Sequence, residues 1–289
     1  MLSIEEKRVY GDRDEVTEAY VSSPMGVVRV RIAGDTVGEF SLCNRCDARD
    51  VAAADGRVAV ATDEDVGVLA SAEKSDGLAF VETGFGSAVA VGYDDEDRLV
   101  AAGPDGRIAR LEASGNWTVL ESKGKDEDRT GTIEEVRAID GDFVGTDDGV
   151  YRVHGDDDLE HAGLSDVRDV AAVGVPLAAT DDGLYKLGNG WMELSEGRFD
   201  VVAADPRSNP GSLSRAHAVS SDGSVYEYAD GEWHEDETRS AGADRIVAVG
   251  YGEQVYAVTE TGTVEVAGDG EWRGRSIGVR NVTGLAVPR

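Results

Sequence analysis

A hairpin unit that recurs along the chain limits the possible folds more than any other feature. Val144-Gly-Thr-Asp-Asp-Gly-Val-Tyr-Arg-Val153, Ala178-Ala-Thr-Asp-Asp-Gly-Leu-Tyr-Lys-Leu187 and Val219-Ser-Ser-Asp-Gly-Ser-Val-Tyr-Glu-Tyr228 each read as a strand, a Gly-bearing tight turn and a second alternating strand. Weaker copies run from Val58 to Leu69, Leu99 to Leu111 and Val255 to Val266. The Asp-Gly pairs suit a type I′ turn, in which both central residues take positive φ. Upstream of the hairpins lies a strand of small apolar residues, such as Asp50-Val-Ala-Ala-Ala54, Asp169-Val-Ala-Ala-Val173 or Ile246-Val-Ala-Val249. Downstream comes a strand opened by tryptophan, at Trp117, Trp191, Trp233 and Trp272. Four strands per unit, with small residues innermost, make the blade of a β-propeller.

Innermost strands start near residues 49, 87, 137, 168, 200 and 245, and a seventh lies in Arg280-Asn-Val-Thr-Gly-Leu-Ala-Val287. The seventh has no hairpin after it, and Val21 to Met25, Val27 to Ala33 and Val37 to Leu42 supply the missing strands from the other end. The expected fold is therefore all-β: a seven-bladed propeller closed by pairing of the C-terminal strand with the N-terminal blade, which removes the free sheet edges of an open array. The 289 residues give about 41 per blade, within the range of propeller repeats. Residues 1–17 read as a polar extension and residues 18–289 as a single domain. Glu121 to Thr132 reads as a charged inter-blade loop, and Asp205 to His217 as an insertion in blade six.

Formal charge is −30, and lysine occurs only at positions 7, 74, 123, 125 and 186. That balance is a halophile's, because in molar salt the Debye length falls to roughly 3 Å and crowded carboxylates repel only weakly. Such acidity argues against nucleic acid and anionic lipid as partners, since both select basic surfaces. No apolar run approaches the roughly 20 residues of a membrane span, and the first residues lack a secretory pattern, so a cytoplasmic monomer is expected.

Phe143-Val-Gly-Thr-Asp-Asp-Gly-Val-Tyr-Arg-Val153 is similar to the repeat of regulator-type propellers found in sensor proteins. The whole chain resembles an uncharacterised haloarchaeal β-propeller family. The resemblance implies the fold and the cytoplasmic setting, and no reaction.

Arginines stand at the start of five innermost strands: Arg49, Arg137, Arg168, Arg245 and Arg280, with Ser87 and Asp200 at the other two. Such side chains would surround one mouth of the central channel as ligand-binding residues. Guanidinium groups roughly 8 Å apart repel by about 0.5 to 2 kcal/mol per pair, so something must compensate. A bound anion, either a small ligand or an acidic segment of a protein partner, would do so. Asp50, Asp169 and the Asp-Asp-Gly turns, neutralising each arginine within the protein, would do so as well.

Cys43 and Cys46, in Cys-Asn-Arg-Cys, are the only cysteines, and one pair is half a zinc site. They read as thiols without a role, as metal ligands shared with a partner, or as a redox pair. No cofactor is expected. Gly-x-Gly pairs beginning at Gly84, Gly188, Gly250 and Gly268 fall in turns between strands, and no nucleophile elbow, metalloprotease or phosphate-loop pattern is present. The tryptophans read as inter-blade packing, with a sugar-stacking platform as the alternative. The overall expectation is a non-catalytic binding or scaffold protein. A propeller enzyme of hydrolase or lactonase type acting at the channel mouth is the alternative, and a sensor module a third reading.

Overall fold

The computed structural model describes residues 16–70, 79–122, 133–155, 157–239, 244–268 and 270–288. Every regular element in them is a β-strand, and the strands form seven sheets, one per blade. Blades two to seven have innermost strands Ala48–Ala54, Ala90–Tyr93, Val136–Asp140, Val167–Ala171, Phe199–Ala204 and Ile246–Tyr251. Blade one takes its innermost strand, Gly284–Ala286, from the C-terminal end, where Leu285 lies antiparallel opposite Val21 of Val16–Ser23. The ring is thus closed as the repeat count demands. The strand of blade one begins at Val16, so residues 16 and 17 belong to the propeller and not to an extension. Residues 1–15 lie outside the described residues, as do residues 123–132 of the expected charged loop. The start of that loop, Glu121–Ser122, adds a parallel fifth strand beside Asp158–Gly163 and covers the outer edge of blade four.

Buried apolar residues fall into seven clusters, one at each junction between adjacent blades. Valine and alanine dominate because the sheets converge on the axis and leave little room. At Gly92 the limit is reached, since a Cβ there would lie 2.6 Å from the carbonyl oxygen of Ile139 in the next blade. Three tryptophans bridge blades as expected of packing residues. Trp117 donates to the Thr83 carbonyl (3.2 Å), Trp191 to that of Ala162 (2.9 Å) and Trp272 to the Asp236 carboxylate (2.7 Å). Trp233 packs on Tyr228 of its own blade and against the apolar cluster at the junction of blades five and six.

The repeated turns are not type I′. In Thr146-Asp-Asp-Gly149 only Gly149 has positive φ, and the Thr146 hydroxyl closes the turn by donating to the Gly149 carbonyl (2.8 Å) and accepting its amide (3.1 Å). Thr180 does the same for Gly183. Because the threonine holds a four-residue turn, the aspartates stay in ordinary backbone conformations. Positive φ at both central residues occurs instead at Asp55-Gly56 and Asp230-Gly231, each a two-residue turn. Gly250 lies within an innermost strand, not in a turn. The blade-six insertion ends before Ala216–Ser220, which contains His217, and its Gly211 amide docks on the Gly174 carbonyl of blade five (2.9 Å). No helix among the described residues is long and apolar enough to cross a membrane.

Candidate functional site

Each innermost strand enters from the face that also carries the turns between second and third strands. In five blades the strand begins with a β-bulge, and the bulged residues are Arg49, Arg137, Arg168, Asp200 and Val247. A bulge inserts one unpaired residue and re-aims its side chain. The five arginines are therefore not structurally equivalent. Arg49, Arg137 and Arg168 are bulge residues, and Asp200 shares their position. Arg245 directly precedes the buried Ile246, and Arg280 lies two residues ahead of the buried Val282.

Their partners differ accordingly. Arg49 donates to the Ser87 hydroxyl (3.1 Å) and the Ala88 carbonyl (3.4 Å) of the next blade. Arg137 donates to the Val167 carbonyl of its next blade (3.3 Å) and to the Glu135 carboxylate (2.8 Å), while its Nε is buried without a partner among the described residues. Thr283 makes the same kind of link in blade one, from its hydroxyl to the Ala48 carbonyl (3.1 Å). Arg168 forms a bidentate pair with Asp181 of its own Asp-Asp-Gly turn (2.7 and 2.8 Å). Asp200 accepts from both Arg198 (2.9 Å) and Arg245 (3.0 Å). Arg280 is exposed and makes no hydrogen bond or ion pair among the described residues.

Asp50 and Asp169 do not neutralise arginines. One oxygen of Asp169 accepts the amide of Val170 and the other that of Val202 in blade six (both 2.9 Å). Asp50 likewise accepts the amides of Val51 (2.8 Å) and, in blade three, Val91 (2.9 Å). Asp140, which no repeat pattern marks, accepts the amide of Ala172 in blade five (2.7 Å). These carboxylates stitch blades together along the wall of a central channel of about 660 Å³, to which each keeps a partial exposure. Burial pushes Asp169 up to about 7 and Asp50 to about 6 against the opposing pull of the amides, and it raises Asp140 as well. Arg137 and Arg168 line the channel at the entry face. At the opposite mouth stands Asp95, pushed to about 6 by burial and by its hydrogen bond to the carboxyl of Asp142.

Both cysteines are free, partly buried thiols packed against the apolar cluster at the junction of blades one and two, which contains Tyr20, Val27 and Ala48. Cys43 donates to the Val27 carbonyl (3.1 Å), and burial raises both thiols, Cys46 to about 11, which keeps them protonated and disfavours thiolate ligation. Among the described residues no group of three or more His, Cys, Asp or Glu side chains is placed to hold a metal ion.

The sequence profile of the "HVO_0234-like, beta propeller" family matches residues 3–288. The chain belongs to this family. No curated protein matches it in sequence. Among solved structures, this member of the family is similar to a putative 6-phosphogluconolactonase from Bacteroides uniformis, with TM-score 0.62, 11% identity, and coverage of 95% of this chain and 100% of the other. It is also similar to the WD40 β-propeller domain of Doa1, with TM-score 0.61, 16% identity and coverage of 83% and 86%. YCF48, solved bound to D1 peptide, gives TM-score 0.53, 12% identity and coverage of 79% and 82%. At these identities the likeness is one of fold.

Proposed function

We propose that this protein is a non-catalytic binding module whose entry face docks an anionic group, carried by a protein partner or a small molecule. One observation supports this most directly. In a chain with 58 acidic and 28 basic residues, Arg49 and Arg280 have no carboxylate within ion-pair distance among the described residues, and they belong to neighbouring blades, two and one. Carboxylates neutralise Arg137, Arg168 and Arg245 in the other half of the face. Cations left unpaired among so many carboxylates form a local positive site, and the planar guanidinium fork can bond bidentately to two oxygens of a carboxylate or a phosphate. That YCF48 holds a peptide accords with protein docking as a use of this fold. The acidic composition fits a monomer working in the cytoplasm of a high-salt cell.

Affinity purification from cell extract in high salt tests the reading. Wild type is compared with a folded Arg49→Gln/Arg280→Gln variant and with Arg168→Gln as a control, and copurifying proteins and small molecules are identified by mass spectrometry. The reading requires an anionic or acidic species that the wild type and the control retain and the double variant loses. An identical set from all three removes it.

A further inference from the structure

Beside Arg280, on the entry face at the junction of blades seven and one, lies a shallow hollow of about 650 Å³. Blade seven contributes Thr263 and Ser276 to its lining, and the segment leading to the closing strand contributes Gly278, Arg280 and Asn281. Here the chain turns sharply, with φ of 76° at Gly278 and 52° at Asn281. The turn has a consequence for the backbone. The amides of Ile277, Val282 and Thr283 are taken by the carbonyls of Gly262, Glu260 and Ser22, whereas those of Arg280 and Asn281 make no hydrogen bond among the described residues. Successive amides left free at a turn into the left-handed region form a concave donor array that suits an anion. The unpaired Arg280 guanidinium beside them adds charged donors to the array.

We infer that this hollow is a phosphate-binding subsite, with the Arg280 guanidinium and the amides of Arg280 and Asn281 as its principal donors. The inference rests on the anion-docking reading above and narrows it to one place and one chemistry. A tetrahedral oxyanion suits donors arriving from several directions, whereas a planar carboxylate would leave part of the array unused. Glu260 also lines the hollow, and its negative charge opposes an anion. It thereby sets a second, oppositely signed test, because Glu260→Gln tightens binding if phosphate sits there.

Isothermal titration of the folded protein with inorganic phosphate in concentrated potassium chloride reads the affinity directly. Arg280→Gln is expected to weaken it at least about tenfold, the size of one lost charge-assisted hydrogen bond, and Glu260→Gln to strengthen it severalfold. Arg137→Gln/Arg168→Gln leaves it unchanged, since those arginines line the channel and not the hollow. Displacement of the phosphate by methyl phosphate identifies the monoester end of a metabolite as the ligand, and failure to displace identifies free phosphate; either satisfies the inference. Binding that survives Arg280→Gln and disappears in Arg137→Gln/Arg168→Gln overturns the subsite while leaving anion docking intact. Wild type that binds no phosphate overturns the subsite as well, and the copurification then judges the wider reading separately.

Discussion

At the scale of the residue, the inter-blade aspartates raise a question of sign. Two backbone amides stabilise the Asp169 carboxylate, yet burial outweighs them and lifts it to about 7, well above the roughly 3.9 of an unfolded chain. A raised folded value means that the native state holds the proton more tightly. The stability this group contributes is then fully present below pH 4 and is lost as pH rises through about 7. His217 works in the opposite sense. It is buried against Tyr251 and driven down to about 3 by burial, so its contribution is present above about 6.5 and lost as pH falls from there. The two effects overlap below pH 6.5 and separate above it. Between pH 6.5 and 8 at constant high salt, the urea midpoint should therefore fall, and Asp169→Asn should flatten the slope while lowering stability overall, because asparagine cannot accept both amides. An unchanged slope in the variant would show that Asp169 does not titrate in that window.

At the scale of the element, the turns and bulges explain what the sequence could and could not reveal. Blade number, hairpin positions and the place of the tryptophan strand were legible, because each depends on a pattern repeated at a fixed period. The register at the start of each innermost strand was not. Alternation of period two identifies which face a residue takes, and one bulged residue, such as Arg49 or Asp200, shifts everything after it. Lining up the arginines by type therefore merges three distinct positions, and it makes counter-ions of Asp50 and Asp169 when the bulge turns them toward the amides of the next blade. The threonine ahead of Asp-Asp-Gly is a visible signal for the turn, masked by the Asp-Gly pair that suits type I′ geometry. Thr180 is 1% exposed, and its hydroxyl serves the Gly183 carbonyl and the amides of Asp182 and Gly183. Replacing it with the isosteric valine takes the hydroxyl partner from the buried Gly183 amide and carbonyl and should cost about 1–3 kcal/mol in chemical denaturation. Thr180→Ser keeps the hydroxyl and should recover most of that loss. A valine variant as stable as wild type would mean that the turn is held without the clamp.

At the scale of the molecule, closure and charge act against each other. The ring has no free inner edge, because Gly284–Ala286 pairs with Val16–Ser23 and Val282 and Ala286 enter the apolar clusters on either side of blade one. That arrangement was legible from a C-terminal strand without a hairpin and an N-terminal hairpin without an innermost strand. Opposing it is a formal charge of −30 on a 289-residue chain, whose self-repulsion grows as the ring becomes more compact. Salt screens this repulsion, but it also screens attractive pairs such as Arg168–Asp181 and Arg198–Asp200, so the net sign depends on which population is larger. These pairs are at least partly exposed and each is worth at most about 1 kcal/mol. With 58 acidic against 28 basic residues, at least 30 carboxylates have no cation available to them, so repulsion dominates. Thermal unfolding at constant pH should consequently shift to higher temperature as potassium chloride rises from tenths molar to molar, where the Debye length contracts from about 10 to 3 Å. Neutralising several unpaired surface aspartates to asparagine should raise the low-salt midpoint and reduce its salt dependence together. If salt lowered the midpoint instead, attraction between the pairs would outweigh the repulsion, and the acidic surface would have to be explained by something other than a high-salt setting.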